Sequence, residues 1–123
     1  MQWSARFLST VIVCLLVWGG LSSANEMLAE DKASMIAEGK EIAFNRKKGN
    51  CLACHIMDDG EAAGNIGPPL IAMQQRFPDR AKLRAQIADA TQLNSASRMP
   101  PFERHGILTP EEVDKIVEYL YTL

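Results

Sequence analysis

The clearest alternation of apolar and polar positions lies near the C-terminus. Val113, Ile116, Val117 and Leu120 recur at i, i+3, i+4 and i+7 among Glu, Asp and Lys, the stripe of a helix that buries one face. Thr109-Pro110-Glu111-Glu112 stands just before it: a threonine able to cap, a proline suited to the first helical position, and a glutamate placed to reach back to the cap. A helix is therefore predicted from Thr109 onward. Met35, Ile36, Ala37, Ile42, Ala43 and Phe44 repeat at three-to-four spacing and predict another from Asp31 to about Phe44, behind a polar lead-in at Asn25 to Glu30. Pro78-Asp79 opens a third, to about Ala88, with Leu83 and Ile87 turned inward, and Leu70 to Phe77 suits a short helical turn.

The connections have patterns of their own. "NRKKGN", Asn45 to Asn50, is a basic, Gly-containing turn, either a solvated loop or a docking rim. "DDGEAAGN", Asp58 to Asn65, is acidic and Gly-rich but lacks the alternating oxygen ligands and closing glutamate of a calcium loop. "IGPPL", Ile66 to Leu70, cannot be helical, because each proline ring disfavours the helical conformation in the residue before it. "NSASRMPPFERHG", Asn94 to Gly106, is a second loop stiffened by proline. No run alternates long enough to suggest a strand, so the fold class is all-α.

The N-terminus reads differently. One basic residue, Arg6, is followed by about fifteen apolar residues ending at Leu21 and then by small residues at Ser22-Ser23-Ala24, the order of a secretory signal peptide. The apolar run is short of the ~20 residues that span a bilayer, so cleavage after Ala24 is expected rather than a stable membrane anchor. Residues 1–24 are thus assigned as signal and residues 25–123 as a single domain. Cys14 leaves with the signal, and two of the three cysteines remain. Losing Arg6 takes the formal net charge from −2 to about −3, which gives no basic surplus to bind nucleic acid. A domain this small buries a low fraction of its surface and is often helped by a cofactor, metal or disulfide.

Cys51-Leu52-Ala53-Cys54-His55 holds the candidate chemistry. A structural zinc site needs four ligands, and beyond these three the chain offers only His105, with His55 awkwardly adjacent to a cysteine ligand. A redox dithiol usually sits at a strand-to-helix junction, for which no alternation is seen. Covalent attachment of a c-type haem asks for two thiols spaced to meet two vinyl groups and an imidazole beside the second thiol; C-x-x-C-H supplies them, outside the cytoplasm where such haem is attached. His55 would take one axial face. Candidates for the other are Met57, Met73, Met99 and His105: Met57 follows His55 too closely, and Met73 lies in an expected helical turn where a core role is commoner. Met99 precedes Pro100-Pro101, so its backbone is held extended and its thioether can be offered at fixed depth; it leads, with His105 second.

"CLACH", "GPPL", "MPPF" and a closing amphipathic helix ending in "YL" resemble, in that order, the class I cytochrome c fold. The resemblance implies one covalently bound haem c, with Cys51 and Cys54 as thioether links, His55 as proximal ligand, Met99 as distal ligand, and Pro68 as the residue whose carbonyl accepts from the proximal imidazole. "GNCLACH", "GNIGPPL", "RFPDRAKLRAQIADATQLN" and "MPPFERHGILTPEEVDKIVEYLYTL" are similar, more specifically, to the SoxX family, the small cytochrome subunits of SoxAX complexes. That resemblance implies a periplasmic enzyme in which thiosulfate is oxidatively joined to a cysteine of the carrier SoxYZ. In it the chemistry belongs to the haem of a SoxA partner, and the small subunit passes electrons to a downstream cytochrome c acceptor. The alternative is a free-standing periplasmic electron shuttle.

Overall fold

The protein, seen here as a computed structural model, is described from residue 8 for the backbone and from residue 25 for side chains. The signal reading of residues 1–24 rests on side chains outside the described residues. The chain divides into two compact units, Met1–Ala33 and Ser34–Leu123. In chain order the helices are α1 (Leu8–Phe44), α2 (Met73–Arg76), α3 (Arg80–Ala88) and α4 (Pro110–Leu120), with single 3-10 turns at Cys51–Ala53 and Ala90–Gln92. No strand occurs among the described residues, and no helix there is long and apolar enough to cross a membrane.

Asn25 to Glu30 is helical, not the lead-in expected from the pattern. Between Leu21 and Glu38 the chain has no glycine or proline, and Ala, Leu, Met and Glu are strong helix formers. Every side chain from Asn25 to Glu30 is exposed. Periodicity reports burial rather than helicity, so a helical segment with no buried face leaves no stripe to read.

In the larger unit α4 forms as its sequence dictates. The Thr109 side chain accepts from Glu112 N at 3.2 Å while Glu112 Oε2 accepts from Thr109 N at 3.0 Å, with Pro110 at the first position. Its stripe, Val113, Ile116, Val117 and Leu120, is buried, and Tyr119 with it. α3 is capped by Asp79, which accepts from Ala81 N at 2.9 Å, and turns Leu83 and Ile87 into the same core. Ile36, Ile42 and Phe44 of α1 pack against that core around the fully buried Ala43.

One residue sets how closely α1 approaches α4. A Cβ placed on Gly39 would lie 2.0 Å from the Lys115 carbonyl oxygen and 2.6 Å from its carbon. Both are backbone atoms, so only glycine lets the two helices meet this closely. An ion pair between Lys115 and Glu38 and the Phe44–Tyr119 edge contact at 6.3 Å flank the crossing.

Candidate functional site

α1 hands the chain to the cysteine motif through a tight turn built on asparagine. Asn45 Oδ1 accepts from Lys47 N at 2.9 Å, Asn45 O accepts from Lys48 N and Asn50 N, and Asn50 takes the left-handed conformation with φ 47°. Asparagine tolerates that conformation better than most residues, because its short polar side chain bonds locally. The chain then winds through one 3-10 turn, in which Cys51 O accepts from both Cys54 N at 3.1 Å and His55 N at 2.9 Å. Cys51 and Cys54 are half-buried free thiols, and burial pushes the Cys51 thiol up to about 11.

The proline strap is laid along this motif. Gly64 N donates to Leu52 O, Gly67 N to Cys54 O and Leu70 N to Ile56 O, each at 2.8 Å. The alternate carbonyls of Leu52, Cys54 and Ile56 are thus paired with the end of the acidic loop and with the strap. Two glycines make the approach possible. A Cβ on Gly64 would stand 2.0 Å from Ala53 O, and one on Gly67 would stand 2.3 Å from His55 Cε1 and 2.6 Å from its Nδ1.

The imidazole is therefore held against bare backbone on one side and by a hydrogen bond at its edge. His55 Nδ1 lies 2.7 Å from Pro68 O. A carbonyl can only accept, so Nδ1 carries a proton, and in the neutral ring that leaves the lone pair on Nε2. That is the tautomer a metal-ligating imidazole needs, oriented by an outer partner.

The four candidates for a second axial ligand fall into different environments. Met57 and Met73 are buried in the core at 1% exposure each, while His105 is exposed. Met99 is half-buried and packs against the core from the second proline loop, its N–H donating to Ser97 Oγ at 3.2 Å. Three contacts that the sequence did not advertise tie this loop to α3 and to Asp89 at its C-terminal end. Glu103 N donates to Ala88 O at 3.0 Å, Arg84 pairs with Glu103 at 2.8 Å, and Arg104 Nε pairs with Asp89 Oδ2 at 3.3 Å. Only Asp89-x-Thr91, an aspartate two residues before a threonine, hinted at a cap here; its carboxylate accepts from Thr91 N at 3.0 Å.

Among the described residues no three of His, Cys, Asp and Glu gather as a metal cluster. A covalently held haem fits the donors that are present. There are two thiols at C-x-x-C spacing, an imidazole with Nε2 released by its Pro68 bond, and a half-buried thioether on a stiff loop. The glycine at position 67 makes the room that the oriented ring occupies.

Helices without strands among the described residues, a C-x-x-C-H turn paired to a proline strap and a closing amphipathic helix define a class I cytochrome c fold. The chain belongs to the family described as "Cytochrome C oxidase, cbb3-type, subunit III", whose profile matches residues 34–120. It superposes on the crystal structure of SoxXA from P. pantotrophus with a TM-score of 0.63 and 28% identity, over 70% of this chain and 79% of that one. It is also 42% identical over 76 residues, 61% of its length, to an uncharacterized lipoprotein of Aquifex aeolicus (strain VF5). The match spans 37% of that relative, little more than a third. The chain is a SoxX-like cytochrome, and a c-type haem is the cofactor its family implies.

Proposed function

We propose that this chain is the electron-transfer subunit of a SoxAX-like complex, working beside a SoxA-like cytochrome in which thiosulfate is oxidatively conjugated to a cysteine of a SoxYZ-like carrier. The observation that carries this reading is the likeness to SoxXA at 28% identity over 70% of the chain. Joining the two sulfurs releases two electrons and the thiol proton, so a one-electron carrier must take part twice for each bond formed. The chain itself keeps no cysteine beyond Cys51 and Cys54 once residues 1–24 are removed, so the sulfur chemistry belongs to the partner. By the same reading export takes the domain to the periplasm, and a downstream cytochrome c accepts the electrons.

Within the domain, Cys51 and Cys54 would hold one haem by thioether links, with His55 and Met99 as its axial ligands. When bound, the haem supplies a one-electron Fe(III)/Fe(II) couple. Pro68 O keeps the His55 ring in one tautomer and one orientation, with Gly67 backbone against its face, so little reorganisation accompanies a change of charge. The Met99 thioether, a soft neutral ligand, favours the reduced state over what a second imidazole would give.

The reading is tested by co-purification. The tagged chain, expressed in a thiosulfate-oxidising host, should bring down a second cytochrome, and thiosulfate plus the carrier should reduce its haem. A haem-stained chain that purifies alone and is not reduced under those conditions is a free-standing shuttle, and the complex reading fails.

A further inference from the structure

The loop from Ala90 to Gly106 contains no regular helix beyond one 3-10 turn, yet its two ends are closed against each other. At its start Asp89 accepts from Thr91 N and, at 2.5 Å, from Thr91 Oγ1. At its end Arg104 reaches back 13 residues, donating from Nη2 to Thr91 Oγ1 at 3.1 Å while its Nε pairs with Asp89 Oδ2. The adjacent Glu103 turns the other way, to Arg84 in the middle of α3. Asp89 is largely buried, with 14% of its side chain exposed, whereas the Arg104 side chain is 53% exposed.

We propose that Arg104 and Asp89 are positioning residues for the Met99 thioether: their clasp closes the base of the loop, so that opening it frees Met99 without unfolding α3 or α4. The geometry favours this over a purely structural role for two reasons. Met99 lies ten residues past Asp89 and five before Arg104, inside the clasped segment. The N-termini of α3 and α4 are also capped independently of the clasp, through Asp79, Thr109 and Glu112. Pro100 and Pro101 stiffen the segment next to Met99, and the clasp closes the loop together with the buried Phe102 and the Glu103 N bond to Ala88 O. The inference rests on Met99 being the distal ligand.

The test uses the haem-loaded protein and added imidazole, which can take the sixth position only when Met99 has left it. In Arg104→Ala and in Asp89→Asn, the apparent imidazole dissociation constant should fall about two- to fivefold, the range expected when a half-exposed charged contact is lost. Asparagine keeps the cap to Thr91 but loses the Oδ2 contacts to both Arg104 and Gln92, so Asp89→Asn tests the clasp even if Arg104→Ala folds poorly, with Gln92→Ala as the control for the second contact. Arg104→Lys should restore part of the wild-type value, and helix unfolding followed by circular dichroism should move little in the Asn and Lys variants. Imidazole binding unchanged in both Arg104→Ala and Asp89→Asn overturns the clasp. Met99→Ala separates this from the reading beneath it: if that variant keeps its long-wavelength S–Fe band, the ligand assignment fails whatever Arg104 does.

Discussion

The Lys48 ammonium donates to a Glu112 carboxylate oxygen at 2.8 Å, across 64 positions of chain. The other oxygen of Glu112 accepts from Thr109 N, so one carboxylate joins the cap of α4 to the turn that leads into Cys51. The basic turn is thereby divided: Lys48 is a structural residue, while Arg46 and Lys47 are exposed. A docking rim beside the cysteine motif rests on those two.

Arg46→Glu with Lys47→Glu should slow association with an acidic electron partner while leaving the visible spectrum unchanged. The effect should shrink with salt, since exposed charges are screened beyond ~8 Å at physiological ionic strength. Stopped-flow rates equal to wild type at low ionic strength would return the turn to a plain solvated loop. Lys48→Ala should instead lower the melting temperature, and change the association rate little.

Met99→Ala should leave the haem attached, because attachment depends on Cys51 and Cys54, while removing the S–Fe charge-transfer band. Persistence of that band in Met99→Ala, with loss in a Met73 or His105 variant, would move the ligand elsewhere.

Gly67→Ala should displace the His55 ring, since the new Cβ would stand 2.3 Å from Cε1. Overpacking of this kind costs about 1–3 kcal/mol, and the bond to Pro68 breaks with it. The expected result is a lower yield of haem-stained protein and an altered visible spectrum; a variant indistinguishable from wild type in both would mean the ring is not constrained from that side.

Gly39→Ala tests the helix crossing by the sign of its effect. In an open helix the change stabilises by about 1 kcal/mol. Here the Cβ meets the Lys115 carbonyl at 2.0 Å, so the melting temperature should fall by roughly 5 °C or more. A rise would show that α1 and α4 can separate at little cost.

Asp58 links stability to acid. Lys40, hydrogen-bonded at 2.7 Å, holds its carboxyl below the usual carboxylate range; the Tyr119 hydroxyl at 3.2 Å adds to this, against the opposing effect of desolvation. With the folded value below the unfolded one, the carboxylate stabilises above the unfolded value of about 3.9, and that contribution is lost as pH falls through the depressed folded value. Urea midpoints should therefore show wild type above Asp58→Asn at neutral pH, with the gap narrowing as pH falls below the usual carboxylate range. A gap that stays equal as pH falls would assign the difference to packing rather than charge.

What could be read from the sequence is what lies within a few residues. Thr109 and Glu112 form a box three positions apart, Asp79 caps the turn it begins, and Val113, Ile116, Val117 and Leu120 share a face because 3.6 residues make a turn. The C-x-x-C-H motif and the two proline loops were legible for the same reason: each is a local pattern with its own steric or chemical logic. Local pattern already favoured a core role for Met73 and placed Met99 first, but it set Met57 aside only for its nearness to His55; that Met57 is buried in the same core is decided by the fold. Nor could local pattern show that Gly39 faces Lys115, that Lys48 meets Glu112, or that Asp89 and Arg104 close the Met99 loop. Those pairs join residues 15 to 76 positions apart, and no periodicity spans such distances. They exist because backbones packed around one core leave room for a glycine, or bring two charges within reach, at places decided by the whole fold.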